Sequence, residues 1–190
     1  GDFVVYVCMT HSESIDGPSG AILRTAEQNT SEVLESVKVL GCDAVHFLPF
    51  KDLHVPFSFE SVSMLDQYIR KYNIDTIYTH WAGDANQDHI STFKATMAAA
   101  RYVPNVFCYE QIPVPRMTEN QMDINYYVDI TDTFSKKIEA SLCHKSQIIK
   151  YHEHGFDVES NLDILGKFRG IQARCLYAEA FKALKVVKQW

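Results

Sequence analysis

A chain of 190 residues, 46% hydrophobic and 22% charged, has the length and balance of one globular domain with a substantial core. Its net charge of -6 and pI near 5.7 argue against a nucleic acid or an anionic membrane surface as the main partner, since such binding relies on concentrated Lys and Arg. No apolar stretch approaches the ~20 residues that cross a bilayer, no leader-like segment opens the chain, and the scattered Cys8, Cys42, Cys108, Cys143 and Cys175 lack C-x-x-C spacing, so the expected setting is the reducing cytoplasm.

The run Phe3 to Thr10 is continuous, apolar and β-branched, as a strand buried on both faces would be. After a Ser/Gly/Pro-rich loop, Ile22, Leu23, Ala26, Val33, Leu34, Val37 and Leu40 recur at helical spacing, and Gly41 stands where a helix ends. Ala44 to Leu48 reads as a second strand, Phe59 to Tyr72 as a helix, and Thr76 to Thr79 as a third strand. A helix from His89 to Tyr102 and a strand from Asn105 to Tyr109 follow, and the alternation predicts one largely parallel sheet with helices on both faces. Beyond Glu110 come a Pro-containing loop (Ile112 to Arg116), a short segment Tyr127 to Ile130, a helix from about Thr131 to Cys143, and a last helix from about Asn161 to Phe181.

The densest chemistry is Asp84-Ala-Asn-Gln-Asp88-His89, placed between the third strand and its helix, where ligands of open α/β sheets bind. His89 at a helix start is kept neutral by the helix dipole, which suits a metal ligand. The same residues admit a plain reading, with Asp88 as a cap and Asp84 to Asn86 as a turn. What favours chemistry is convergence: three strand ends, Thr10-His11, His80 to Asp88 and Tyr109-Glu110, meet one rim in a parallel sheet. His152-Glu-His154 has metal-binding spacing but lies in a polar stretch before Gly155, where an exposed loop is expected.

Several landmarks in order then carry a resemblance. They are Arg24-Thr-Ala-Glu27, Leu40-Gly41, Asp52, Thr79-His-Trp-Ala-Gly-Asp-Ala-Asn-Gln-Asp-His89, Tyr109-Glu110, Tyr127-Val-Asp-Ile-Thr-Asp132, Ser146-Gln147, Arg169-Gly170 and Tyr177-Ala-Glu-Ala-Phe181. Together they resemble the PIG-L/LmbE-like deacetylases, zinc enzymes that remove the acetyl group from N-acetylglucosamine-type sugars. The resemblance implies a Rossmann-like, LmbE-like fold. It implies His89 as a zinc ligand, Asp88 as the carboxylate next to it, Asn86 as the group on the polarised carbonyl or its oxyanion, and Arg24 as part of the sugar cleft.

Members of that family open with Ala-His-Pro-Asp-Asp-Glu, which supplies two more zinc ligands and the general base, and this sequence has no such motif. The expectation is a single deacetylase-like domain over 1–190 that lacks its first strand-helix unit of ~30 residues. A longer native chain, a complementing N-terminal segment on another polypeptide, or a metal-free relative would each account for it. The leading function is a zinc-dependent N-deacetylase acting on an amino-sugar conjugate, with a homo-oligomer left open. The rival is a non-catalytic carbohydrate-binding relative in which Arg24, Trp81, Asp84 and Asn86 hold a sugar by stacking and hydrogen bonds. A Rossmann-type nucleotide binder is disfavoured, because no Gly-rich loop follows the first strand.

Overall fold

The computed structural model describes residues 1–15, 19–111 and 122–188. In chain order the elements begin with strands β1 (Val5–Thr10), β2 (Ser14–Ile15) and β3 (Ile22–Arg24), helix α1 (Ala26–Leu40) and strand β4 (Ala44–Phe50). Helix α2 (Phe59–Lys71), strand β5 (Thr76–Thr79), helix α3 (Gln87–Ala99) and strands β6 (Asn105–Tyr109) and β7 (Tyr126–Asp129) follow. Helices α4 (Phe134–Leu142), α5 (Lys145–Glu153) and α6 (Val158–Ala173) precede strand β8 (Ala178–Lys185). The α/β class expected from the sequence holds, while the Pro-containing loop at Ile112 to Arg116 lies outside the described residues.

These elements group into two compact units. The first comprises Gly1–Asp52 and Asp129–Ala178. Its strands β1 and β4 pair in parallel, with Val5 opposite Ala44 and Cys8 opposite Phe47. Helix α1 packs against α4, and Val33, Val37, Leu48, Ala140 and Leu162 are buried. A capping box closes the start of α1: Thr25 Oγ1 accepts the Gln28 N–H while Gln28 Oε1 accepts the Thr25 N–H. At its other end Gly41 takes a left-handed φ of 80° and donates its N–H to the Val37 and Lys38 carbonyls, the termination expected of it.

The second unit comprises Leu53–Val128 and Glu179–Trp190. Its sheet runs in the order β5-β6-β8-β7, with β5 and β6 parallel and β8 antiparallel to β6. Ala100, Val103 and Val106 form a buried cluster to which Ile69, Ile77 and Met97 are added, and α2 packs against α3. Thr76 to Thr79 is a strand with the bounds expected from sequence.

Three expectations are corrected. The four runs expected in one sheet are all strands, yet they lie in two sheets, β1-β4 and β5-β6-β8-β7. Periodicity identifies a strand but not its partner, and among the described residues each of β1 and β5 pairs along one edge. Ile22 and Leu23, expected in the first helix, are instead extended in β3, paired antiparallel with β2. The cap explains this, because an N-cap residue has an extended backbone, and Thr25 has φ -75° and ψ 163°.

The last helix, expected to reach Phe181, stops at Ala173, and Ala178 to Phe181 belong to β8. Arg174 turns left-handed at φ 62°. The Cys175 and Leu176 carbonyls then lie so close over Gly170 that a Cβ there would sit 2.7 and 2.5 Å from them. The apolar series in α6 also divides: Leu162 is buried with Gly166 and Gly170, whereas Phe168 and Ile171 are exposed. His152 and His154 are solvent-exposed as expected, although they sit at the end of α5 rather than in a loop.

Candidate functional site

Strand β5 ends at Thr79 and the chain turns through residues 80–86 before α3 begins, so a short segment carries both the loop chemistry and the helix start. Asn86 is the N-cap of α3: its backbone is extended and its Oδ1 accepts the Asp88 N–H at 2.8 Å. The Asn86 N–H in turn donates to Asp84 Oδ1 at 2.8 Å. Asp84 is thereby held with its other oxygen, Oδ2, 2.9 Å from His89 Nδ1.

The direction of this contact fixes the imidazole. An ionised carboxylate only accepts, so a hydrogen lies on His89 Nδ1, and in the neutral ring the lone pair is on Nε2. Gln111 agrees with that assignment, since its Nε2 amide stands 3.5 Å from His89 Nε2 and has hydrogens to offer. The Gln111 carbonyl Oε1 lies 3.2 Å from His80 Nδ1, which therefore donates to it. The Tyr109 hydroxyl is 3.0 Å from both ring nitrogens of His80, a position off the ring plane rather than along either in-plane lone pair. Gln111 thus links the two imidazoles, and His89 in turn donates to Asp84.

Burial, followed by the neighbouring His89 imidazole, pushes the His80 pKa from 6.5 down to about 4. His80 is therefore neutral at pH 7, as the donor pattern requires. The His80 and His89 rings stack at a centroid distance of 4.1 Å and an angle of 7°.

Ligand atoms of His80, Asp84 and His89 fall within 4.8 Å of one another, a spacing that invites a metal ion. Ring geometry limits which of them can bind it. An imidazole lone pair lies in the ring plane, and two nearly parallel stacked rings cannot both aim at one ion. The position that fits is His89 Nε2, with Asp84 on Nδ1 as the carboxylate that orients the ring.

The remaining sequence candidates are placed as follows. Asp88 adjoins His89 in sequence, but its carboxylate accepts the N–H groups of Leu53 at 2.6 Å and Val55 at 3.0 Å, and it is buried. With Gln87 Nε2 donating to the Leu53 carbonyl, it clasps a segment where Leu53 holds a left-handed φ of 63°. Trp81 lays its indole on Gly83, where a Cβ would come within 2.3 Å of the ring. Arg24 belongs to the other unit, at the end of β3, and its Nε is buried with no hydrogen-bond partner among the described residues. His80, Tyr109 and Gln111 were not singled out from sequence; their signal was the convergence of the third and fourth strand ends.

A carboxylate-oriented imidazole thus stands behind a strand end of an α/β fold. Residues 1–100, more than half of the chain, match the family model described as PIG-L: GlcNAc-PI de-N-acetylase, and the chain belongs to that family. It is 29% identical over 116 residues to the uncharacterized deacetylase YaiS of Escherichia coli strain K12, a match covering 58% of this chain and 59% of that protein. The chain thus spans about three-fifths of the length of this curated relative.

Among solved structures it is similar to the N,N'-diacetylchitobiose deacetylase of Pyrococcus horikoshii, with a TM-score of 0.71 and 24% identity over 96% of this chain and 73% of that one. It is likewise similar to GalB, the 4-carboxy-2-hydroxymuconate hydratase of Pseudomonas putida KT2440, with a TM-score of 0.79 and 19% identity over 99% and 87%. These likenesses establish the LmbE-like fold. Among the described residues no helix is long and apolar enough to cross a membrane.

Proposed function

We propose that this chain carries part of the active site of a zinc-dependent N-deacetylase acting on an N-acetylglucosamine-type conjugate. The observation that carries the reading is the His89–Asp84 pair, whose contact through Nδ1 leaves Nε2 as the ring nitrogen able to take a metal. Membership of the PIG-L family supports it, and the deacetylase names of YaiS and the Pyrococcus enzyme agree. Fold alone does not choose the reaction, since a hydratase shares it. The site has to make the choice.

In this reading His89 is one ligand of the zinc, which when bound polarises the amide carbonyl and lowers the pKa of a water. Asp84 holds the His89 ring in its ligating tautomer. Asn86, with Oδ1 committed to the helix cap, keeps its amide N–H groups for the substrate oxygen. Asp88 acts on orientation from a distance, by fixing the segment at Leu53 on which α3 is clasped. Trp81 offers an aromatic face to a sugar.

We further propose that 1–190 forms one deacetylase-like domain and that a His-Pro-Asp-Asp-type segment outside these residues supplies the other ligands and the general base. The unpaired edges that β1 and β5 each have among the described residues support a further strand. The free thiols of all five cysteines suit a cytoplasmic setting. Metal analysis tests the reading: His89→Ala in the native protein should lose its tightly bound zinc and its acetate release together. Full zinc occupancy in that variant would remove the basis for the site.

A further inference from the structure

The hydrogen-bond chain contains a group that the deacetylase reading leaves without a task. Gln111 follows β6 directly, and its carboxamide is held between two imidazoles, with Oε1 on His80 Nδ1 at 3.2 Å and Nε2 beside His89 Nε2 at 3.5 Å. We propose that Gln111 donates a hydrogen bond to the substrate's amide oxygen as that oxygen becomes an oxyanion, and that His80 is the positioning residue that aims it. This rests on the deacetylase reading of His89.

His89 Nε2 has a single lone pair, and a metal that takes it displaces the Gln111 N–H. The carboxamide does not thereby become free to turn away. Its Oε1 still accepts from His80, and rotating the amide by half a turn would set an NH2 group against the His80 Nδ1–H, two donors facing each other. The two N–H groups therefore stay beside the ligating atom of His89, the place at which the amide oxygen of a bound substrate accumulates charge.

A donor held this way needs no reorganisation when charge develops, which is the property of an effective oxyanion site. The aim depends on His80 keeping its hydrogen on Nδ1, where Gln111 Oε1 accepts it. Stacking on His89 fixes the ring plane at the same time. Asn86 supplies a donor from the helix start, and Gln111 supplies one from the end of the neighbouring strand.

The test uses the native, zinc-loaded protein and acetate release from N-acetylglucosamine. Gln111→Leu should lower kcat by ~10²-fold, the usual scale for one oxyanion donor, with KM and zinc content little changed. His80→Phe keeps a stacked ring but no nitrogen, and should give a similar loss. The double variant should lose no more than either single one, because the two residues act as one unit.

A readout that does not depend on turnover accompanies these. In the metal-free protein, nitrogen NMR of the imidazoles should find the hydrogen on Nδ1 of both His80 and His89, and in Gln111→Leu the His80 ring should shift toward the Nε2–H form. Wild-type kcat in Gln111→Leu, loss of zinc from that variant, or an Nε2–H tautomer of His80 in the wild-type protein would each overturn the proposal. Absence of acetate release from the wild-type protein, with zinc retained by His89→Ala, is a different failure: it refutes the deacetylase reading, and the oxyanion role falls with it.

Discussion

Asp84 and Asp88 stand one helical turn apart in a single short segment and are equally buried, yet they do opposite things. Asp84 gives one oxygen to the backbone of Asn86 and spends the other on an imidazole. Asp88 gives both oxygens to backbone N–H groups of the segment at Leu53 and Val55. The first carboxylate sets the state of a side chain that can bind a metal, and the second fixes the path of the chain. Residue type and burial do not distinguish a carboxylate that holds a side chain from one that holds the backbone; the partners do.

Substitution should separate the two. Asp84→Ala removes the acceptor on His89 Nδ1, and zinc affinity should fall by ~10–100-fold, as for other carboxylates that orient a metal-binding histidine. Titration with a zinc indicator checks this, and unchanged affinity would show that Asp84 does not control the ring. Asp88→Ala strands two backbone donors that are now satisfied, and should cost about 3 kcal/mol of unfolding free energy in a urea titration. Zinc affinity at temperatures where that variant is folded should change much less than in Asp84→Ala. Equal metal defects in both would erase the distinction.

A smaller effect is expected beside the same turn. Gly83→Ala places a methyl where the Trp81 indole lies, 2.3 Å from the nearest ring atom, so the ring must move. A cost of about 1–2 kcal/mol follows from overpacking of this kind, together with a change in tryptophan emission that Trp81→Phe abolishes. Emission identical to wild type would mean that the indole does not rest on Gly83.

The smallest effect concerns Tyr6 in the other unit. Burial raises the Tyr6 pKa from 10.0 to about 12, with Cys8 and Cys42 adding to it. A raised folded-state pKa means that the unfolded chain releases its proton first. Stability contributed by the neutral phenol is therefore complete below pH 10 and is lost as pH rises from 10 toward 12. Tyr6→Phe should flatten this alkaline decline in thermal melts, and a slope unchanged by the substitution would contradict the assignment.

Much of this architecture was legible in the residues. Gly41 marked the end of α1 because only a left-handed residue closes that helix cheaply, and Thr76 to Thr79 marked β5 through its β-branched run. The segment Asp84 to His89 stood out because a strand stops there and a helix starts. Less was legible where two signals overlapped. Ile22 and Leu23 continue the helical spacing of α1 on paper, and only the Thr25 cap shows that the helix begins after them. Ala178 and Ala180 sit within reach of the helical series of α6 but alternate in burial as a strand does.

An open edge beside β1 was expected of a chain that lacks its first strand-helix unit, but which edges meet was not legible from spacing along the chain. Nor was the pairing of His89 with Asp84 rather than Asp88, although both carboxylates were in view. That choice is made by Asn86, whose side chain caps the helix while its N–H orients Asp84. His80 was hidden for a related reason: it lies nine positions from His89 in sequence, and only the fold-back of the turn stacks the two rings.

The most direct test of the account is acetate release from an N-acetylglucosamine conjugate by the native protein, followed before chelation, after chelation and after zinc is returned. The account predicts release that stops when metal is withdrawn and resumes with zinc, and that His89→Ala cannot recover. Release that continues undiminished in the chelator, or that His89→Ala supports as well as wild type, would contradict it.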